Sequence, residues 1–151
     1  MTGDELMRAE AAKMPVPEFE DPAFTPLAAP LSTARVAIVT SAALYRPDDD
    51  PFATGDTGFR RLDRADRSLV MGHWSPNFDR SGFELDINTV YPIDRLEELA
   101  ADGTIGEVAP HHFAFAGNQP DTVSEIRLDT GPRCAKALKA DGVDVVILTP
   151  V

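Results

Sequence analysis

The clearest pattern in the chain is a set of short, largely apolar runs bounded by polar or turn-forming positions. The runs at 34–41 and 143–151 are rich in β-branched residues with apolar side chains at consecutive positions, as is typical of strands buried on both faces. The run at 68–73 predicts another strand, and 105–109 predicts a short extended segment that ends at Pro110. The polar stretch between the predicted strands at 34–41 and 68–73 predicts one long loop.

Helical signals lie between these strands. Residues 92–103 begin with Pro92, which suits a first helical turn, and end with Gly103, which suits the position just past a helix. Leu96 and Leu99 fall on one face of this predicted helix. The segment therefore predicts an amphipathic helix.

The last third of the chain predicts a helix followed by a strand. Asp121 or Thr122 can cap a helix that Gly131-Pro132 must interrupt or kink, and Gly142 ends it just before the run at 143–151. Helix, glycine turn and strand form the second half of a βαβ unit. The sequence thus predicts an α/β fold with an open, at least partly parallel sheet and flanking helices, in a three-layer, Rossmann-like arrangement.

The first 33 residues have a different pattern. Residues 1–13 can form a short helix with Thr2 as its N-cap. Prolines then recur at short intervals, which prevents a long helix and favours an extended arm. They stand at positions 15, 17, 22, 26 and 30. We therefore expect an N-terminal arm at 1–33 and an α/β domain at 34–151 that is incomplete at its C-terminus.

Composition narrows the classes of function. With 151 residues, 43% hydrophobic and 26% charged, the chain has the composition of one globular domain. A net charge of −11 argues against a nucleic-acid partner, because phosphate binding needs a basic surface. No apolar run is long enough to span a bilayer and no signal peptide is apparent, so no membrane association and a cytoplasmic location are expected. A single cysteine, Cys134, excludes an internal disulfide and a CxxC redox pair in this chain.

Candidate chemistry concentrates where the predicted strands end. In open α/β sheets, ligands sit at the carboxyl ends of strands, so Thr40, Ser41 and Thr149 are candidate substrate-binding residues. His73 and His111 are candidate catalytic residues, since imidazole serves as an acid or base near neutral pH. A hydrogen-bonded structural role is an equally good interpretation of both. No metal site is expected, because the histidines lack the spacing of zinc ligands.

Two further polar groups have two interpretations each. Asp86 and Asn88 lie on one side if their segment is extended, where they would bind substrate, but Asp and Asn also favour turns and caps. Turns or caps are the better interpretation of Asp79 and Glu84. A basic group before the second predicted strand either binds a carboxylate or forms a charge-paired surface; it comprises Arg60, Arg61 and Arg64. Cys134 fits a small buried hydrophobic residue better than a reactive thiol.

Several stretches together resemble the selenoprotein B subunits of glycine, betaine, sarcosine and D-proline reductases and their shorter relatives. They are Val-Ala-Ile-Val-Thr-Ser at 36–41, Asp-Ile-Asn-Thr-Val-Tyr-Pro-Ile-Asp-Arg-Leu at 86–96, Gly-Thr-Ile-Gly at 103–106 and Lys-Ala-Asp-Gly-Val-Asp-Val-Val-Ile-Leu-Thr-Pro-Val at 139–151. The stretch at 86–96 is the most specific, and the His-aromatic segment at 111–117 is similar too. The resemblance runs from about residue 34 to residue 151.

The resemblance implies reductive cleavage of a C–N bond in a small amino-acid-like substrate. A selenocysteine or cysteine nucleophile and electrons from a thioredoxin-type donor are implied, with other reductase subunits as partners. The family places its nucleophile just after the strand that ends here at Val151. We therefore expect no cofactor in this chain, no activity from it alone, and an in-frame UGA codon after Val151. The alternatives are a catalytically silent subunit that binds a small molecule or regulates, and a purely structural subunit.

Overall fold

The structure is a computed structural model that describes residues 2–13, 25–75, 80–117, 119 and 124–151. Its strands are β1 (Arg35–Thr40), β2 (Leu44–Tyr45), β3 (Phe59–Asp63), β4 (Val70–Met71), β5 (Glu107–Val108), β6 (His111–Phe115) and β7 (Val145–Thr149). Its α-helices are α1 (Gly3–Ala11), α2 (Ser81–Leu85), α3 (Ile93–Ala101) and α4 (Gly131–Ala140). Single 3-10 turns lie at Leu31–Thr33 and Ile87–Thr89, and a π-helical turn at Ile126–Thr130 precedes α4.

Strand β1 is the centre of an open, mostly parallel sheet. Thr40 pairs in parallel with Ala114 of β6 on one side and with Thr149 of β7 on the other. Strand β5 pairs with the start of β1 on the same side as β6. Strand β3 runs antiparallel to β6 and forms one edge of the sheet. Across the sheet the order is thus β3, then β5 and β6 in line, then β1, then β7, which confirms the predicted α/β class and the partly parallel sheet.

The segment from β5 to β6 contains a bulge that a histidine completes. Four residues separate Val108 from Phe113, whereas only two separate their partners on β1. Across this bulge the Ile38 N–H donates to His112 Nδ1 at 2.9 Å instead of to a strand carbonyl. The His112 ring is fully buried and meets Tyr91 edge to face, with ring centroids 5.5 Å apart. His112 therefore completes the main-chain hydrogen bonding of the sheet.

Helices cover both faces of β1, because its side chains alternate between them. On one face Ile38 packs with Ile93 and Leu96 of α3. On the other face Ala37 packs with Cys134 and Leu138 of α4. The interpretation of Cys134 as a small buried hydrophobic residue is confirmed, since its side chain is 3% exposed. The Rossmann-like three-layer arrangement as a whole stays a prediction.

Both predicted helices are present. Helix α3 is followed by Gly103 in the left-handed conformation (φ 79°), as its position past the helix end predicted. Gly142 ends α4 in the same way (φ 70°). The interruption at Gly131-Pro132 takes the form of the π turn, in which the Gly131 N–H bonds to the Ile126 carbonyl. The proposed caps Asp121 and Thr122 lie outside the described residues.

Three strand predictions need correction. The stretch predicted as one long loop contains β3, which its sequence hides because only Phe59 and Leu62 of the five residues are apolar. The run at 68–73 forms only the two-residue β4, which pairs with β2 in a separate small sheet and leaves Val70 exposed. Strand β7 is present but not buried on both faces, because it pairs with β1 alone among the described strands. None of its residues is fully buried.

The N-terminal region agrees with the prediction in part. Helix α1 begins after Thr2, whose hydroxyl accepts from the Glu5 N–H while the Glu5 carboxylate accepts from the Thr2 N–H. Residues 14–24, the middle of the arm predicted at 1–33, lie outside the described residues, so the arm stays a prediction. Among the described helices, none is long and apolar enough to cross a membrane.

Candidate functional site

The carboxyl ends of β6, β1 and β7 form a cleft of about 190 Å³. Phe115, Val39 and Leu148, one from each strand, lie side by side on the α4 face and form its apolar floor. The remaining lining residues follow or end the strands: Thr40, Ser41, Thr149 and Pro150. Parallel sheets bind ligands at this edge. The three residues predicted to bind substrate from the strand ends, Thr40, Ser41 and Thr149, therefore lie together.

The chain turns sharply as it leaves β1, and this turn shapes one wall of the cleft. Thr40 Oγ1 accepts from the Ala42 N–H at 3.2 Å, while the Ser41 N–H donates to the Thr149 carbonyl at 3.1 Å. Ala43 then adopts a left-handed conformation (φ 53°), unusual for a residue with a Cβ, and its N–H donates to the Phe115 carbonyl. The fixed turn holds the Ser41 hydroxyl toward β7.

Val151, two residues after the end of β7, is held by that hydroxyl. The Val151 N–H donates to Ser41 Oγ at 2.8 Å, and Ser41 Oγ in turn donates to the Val151 carbonyl oxygen at 3.4 Å. Thr149 Oγ1 donates to the Val90 carbonyl at 2.9 Å and ties the end of β7 to the segment before α3. Val151 is therefore held at a defined place beside the turn that follows β1.

His73 lies beside the same strand end and is 3% exposed. The Ser75 N–H donates to its Nδ1 at 3.3 Å, which places the proton of the neutral ring on Nε2. Burial lowers the pKa of His73, the Arg80 charge lowers it further, and a hydrogen bond with the Val151 main chain opposes both. Arg80 also donates to the His73 carbonyl. His73 is thus a neutral imidazole directed at the end of β7.

Gly117 fits tightly between His73 and the turn after β1. A Cβ at this position would lie 2.4 Å from His73 Nε2 and 2.8 Å from the Ser41 carbonyl oxygen. Only glycine leaves room for the imidazole there. Sequence reasoning missed Gly117 as a site residue, and its only signal was its place at the end of the His-aromatic segment at 111–117.

His111 is not part of this group. It begins β6, so it lies three residues before the Ala114 pairing with Thr40, roughly 10 Å back along the strand. Its Nδ1 is 2.9 Å from Asp141 Oδ2 and its Nε2 is 3.4 Å from Asp63 Oδ1. His111 does follow the end of a short strand, β5, as predicted, but it also begins β6, which continues in line with β5. It therefore lies at the opposite end of the sheet from the cleft, where it links two carboxylates.

Asp86 and Asn88 serve as caps. The segment is not extended, since Ile87–Thr89 is a 3-10 turn and Asp86 Oδ1 accepts from the Asn88 N–H at 2.9 Å. Asn88 Oδ1 accepts from the Asp94 N–H at 3.0 Å and its Nδ2 donates to Asp94 Oδ2 at 2.9 Å. Asn88 thereby caps the first turn of α3. These contacts confirm the capping interpretation, and the substrate-binding one stays an untested prediction.

The remaining candidates lie away from the cleft. Arg60 pairs with Asp56 at 3.0 Å and Arg64 with Glu97 at 3.2 Å, so the charge-paired interpretation fits both. Asp79 lies outside the described residues, whereas Glu84 is exposed on α2. Among the residues that the structure describes, no group of three or more His, Cys, Asp or Glu side chains could hold a metal ion.

Comparison with known families identifies the chain. Residues 8–151 match the model of the glycine/sarcosine/betaine reductase selenoprotein B family. The chain belongs to this family. It is 34% identical to the D-proline reductase subunit gamma of Acetoanaerobium sticklandii, a match that covers 89% of this chain and 55% of that protein. No solved structure matches the chain.

Two further reductase subunits are similar to this chain over a smaller share of their own length. A glycine reductase complex component B subunit gamma of Carboxydothermus hydrogenoformans is 29% identical over 91% of this chain and 32% of its own length. A sarcosine reductase complex component B subunit beta of Peptoclostridium acidaminophilum is 30% identical, over 89% of this chain and 32% of that protein. The chain therefore spans between about a third and about half of the length of these reductase subunits.

Proposed function

We propose that this chain forms the substrate cleft of a reductase that cleaves the C–N bond of a small amino-acid derivative. The observation that carries the proposal is the clamp on Val151, whose main chain is held by Ser41 beside the buried His73. The clamp lies at the strand edge where α/β folds bind ligands, in a member of a family of reductase subunits. The reactive selenocysteine or cysteine is placed directly after Val151.

The overall reaction replaces one C–N bond with a C–H bond and an N–H bond. The substrate thus gains two electrons and two protons, and a dithiol of the thioredoxin type supplies them as it becomes a disulfide. The cleft suits a small substrate, because its volume of about 190 Å³ is below the range for drug-sized ligands. Other reductase subunits are proposed as partners, since the relatives are named as subunits of such complexes.

His73 acts directly on the reacting atom in this proposal. With its proton on Nε2, the neutral imidazole donates toward the end of β7 and stabilises an anionic sulfur or selenium there. Gly117 provides the space for this orientation. The geometry favours His73 over His111 for this role, because His111 lies at the opposite edge of the sheet.

The test uses a variant extended by the downstream coding sequence, with cysteine as the first residue after Val151. Glycine, sarcosine, betaine and D-proline are each incubated with this variant and a dithiol, and mass spectrometry detects products in which the C–N bond has gained two hydrogen atoms. Turnover is expected with cysteine and not with serine at that position. Turnover by the 151-residue chain itself would contradict the placement of the nucleophile.

Reading the codon after Val151 provides an independent check. UGA is expected, and any other codon followed by no open reading frame would contradict the placement of the nucleophile. Calorimetry on the same variants then separates the enzyme from a silent binding subunit. Substrate binding by the cysteine variant without any turnover would overturn the catalytic proposal and leave a binding module. Neither binding nor turnover would leave a structural subunit.

The role proposed for His73 has its own measurement, the ionisation of the introduced thiol followed by thiolate absorbance. We expect His73→Asn to raise the pKa of that thiol by about one unit, because it removes the ring N–H that stabilises the anion. His111→Asn is the matched control and should leave the pKa of the introduced thiol unchanged. Cys134 does not interfere, since burial raises the pKa of its thiol to about 11. An equal effect of the two substitutions would refute the assignment.

A further inference from the structure

One side of the cleft is an aromatic wall. Phe115, at the end of β6, has the largest side chain among the residues that line the cleft. It stands directly opposite Phe59 of β3, and the centroids of the two rings are 5.6 Å apart. Aromatic side chains paired across neighbouring strands pack against each other and restrict each other's movement. The ring of Phe115 is therefore held in place by β3.

Phe59 is itself fixed from two further sides. Phe113, which is 1% exposed, meets the Phe59 ring edge to face, with centroids 5.4 Å apart. The guanidinium group of Arg133, in α4, lies over the same ring at 5.9 Å from its centroid. The contacts join β3, β6 and α4 at one place. Phe115 therefore cannot swing away from the cleft without disturbing the packing of all three elements.

The hydroxyl groups of the cleft are committed to its own main chain. Thr40 Oγ1 donates to the Thr149 carbonyl at 3.4 Å, and Ser41 Oγ donates to the Val151 carbonyl at 3.4 Å. Thr149 Oγ1 donates to the Val90 carbonyl at 2.9 Å. Each hydroxyl carries one proton, so these three have none left to donate to a ligand. A small molecule in the cleft therefore meets mainly carbon.

An apolar surface of this kind selects for apolar groups on the substrate. In derivatives of glycine the added aliphatic carbons are those on the nitrogen, and in proline they form a ring that includes the nitrogen. Each such carbon that is buried tightens binding about fourfold. The cleft of about 190 Å³ accommodates a few of them, and the fixed ring of Phe115 limits how many.

We propose that Phe115 determines the substrate specificity of the cleft. Its ring contacts the aliphatic groups on the substrate nitrogen and limits their size. Amino acids with a small N-alkyl group or a pyrrolidine ring bind, whereas those with a bulky group on nitrogen are excluded. The inference rests on the proposed function and adds to it the residue that selects among substrates.

The test compares ligands that differ only in the group on nitrogen. Glycine, N-methylglycine, N-ethylglycine and N-benzylglycine are each titrated into the full chain in calorimetry. Binding should tighten about fourfold with each added aliphatic carbon, and N-benzylglycine should bind at least about tenfold more weakly than N-ethylglycine. The methyl resonances of Val39, in the floor of the cleft, should shift on binding, whereas those of Leu96, buried on the other face of the sheet, should not.

Three variants assign the size limit to one residue. Phe115→Leu removes the ring but keeps an apolar side chain, so it should bind N-benzylglycine at least about tenfold more tightly and N-ethylglycine about threefold more weakly than the wild type. Phe59→Leu, outside the cleft lining, should shift both affinities in the same directions by a smaller factor, because it frees the Phe115 ring. Phe83→Leu is the matched control, since this half-buried phenylalanine of α2 packs on the α3 side of the sheet, and it should change neither affinity. Circular dichroism verifies that each variant is folded.

The outcomes separate this inference from the proposed function. Binding of the small ligands with an unchanged preference in Phe115→Leu would overturn the role of Phe115 and leave the proposed function intact. Equal changes in Phe115→Leu and Phe83→Leu would overturn it too, because the effect would then come from general loosening. Failure of every ligand to bind would overturn both. The ligand series on the wild type tests the size limit even where a variant fails to fold.

Discussion

At the scale of single residues, histidines with similar sequence contexts have different roles. His112 is fully buried and accepts the Ile38 N–H across a bulge, whereas its neighbour His111 links two carboxylates. His73 lies beside Gly117 and the end of β7. The sequence predicted that His73 stands near a strand end, but it could not predict the role of His112. That role depends on a bulge that forms only when two distant segments pair in a particular register.

His112 makes the stability of the protein depend on pH. Burial lowers the pKa of His112 to about 4 in the folded state, against 6.5 for an unperturbed histidine. Between these values the unfolded chain binds a proton that the folded chain does not, so stability falls as the pH falls. We expect this group to remove about 2 kcal/mol of the unfolding free energy between about pH 7 and pH 5, measured by urea denaturation.

His112→Asn isolates this contribution, because its amide oxygen can still accept the Ile38 N–H. The variant should be less stable than the wild type at about pH 7 and should lose less stability on acidification. His111→Asn provides the control at the adjacent, half-buried position. An unchanged pH dependence in His112→Asn would show that the buried ring is not responsible.

Gly117 is the second residue whose substitution gives a definite expectation. An added methyl group would overlap His73 Nε2 at 2.4 Å, so Gly117→Ala should destabilise the protein by about 1–3 kcal/mol. The imidazole resonances of His73 should shift in the NMR spectrum because the ring must move. Gly3→Ala, where a Cβ meets nothing within 4 Å, should change neither quantity beyond a small helix-propensity gain. An unperturbed His73 spectrum in Gly117→Ala would contradict the contact.

Cys134 tests the packing of α4 against the sheet. Its side chain is 3% exposed, and burial raises the pKa of its thiol to about 11. In the native protein it should react with an aromatic disulfide reagent at least about a hundredfold more slowly than in the urea-unfolded chain. Equal rates in the two states would mean that α4 does not cover the thiol.

At the scale of elements, predictions succeeded where the local sequence alone decides the structure. Helix α3 and the end of α4 follow from Pro92, Gly103 and Gly142, whose backbone preferences act locally. Strand β1 was recognisable because both its faces are buried. Strand β3 was missed because an edge strand needs only one apolar face. Strand β7 was assigned too much burial, because apolar composition does not reveal whether a neighbouring strand is present.

The close approach of Gly106, just before β5, to the segment before β1 gives a prediction at this scale. A Cβ at Gly106 would lie 2.4 Å from the Thr33 carbonyl carbon, and main-chain atoms cannot move aside as a side chain can. We expect Gly106→Ala to lower the unfolding free energy by about 3 kcal/mol, at the upper end of overpacking effects. Gly82→Ala in α2, where the nearest atom is 3.8 Å away, should be neutral or stabilising. Equal stability of the two variants, measured by thermal unfolding, would contradict the close contact between Gly106 and the main chain of Thr33.

At the scale of the whole molecule, the cleft depends on segments that are distant in sequence. Ser41, Gly117 and Val151 meet only because β6 and β7 flank β1 on opposite sides. The rule that ligands bind at the carboxyl ends of strands identified Thr40, Ser41 and Thr149 correctly as neighbours. It misplaced His111, because the sequence does not state at which end of a strand a residue stands.

The position of β1 at the centre of the sheet has a consequence for synthesis on the ribosome. Strand β1 is made early, yet its neighbours are β5 and β6, at 107–115, and β7, at 145–149. At translation rates of 5–20 residues per second, β1 waits roughly 5 to 20 seconds until all of them have been made. During that time its apolar residues have no sheet to join. The most buried strand of the finished protein is therefore the segment of the nascent chain that most needs a chaperone.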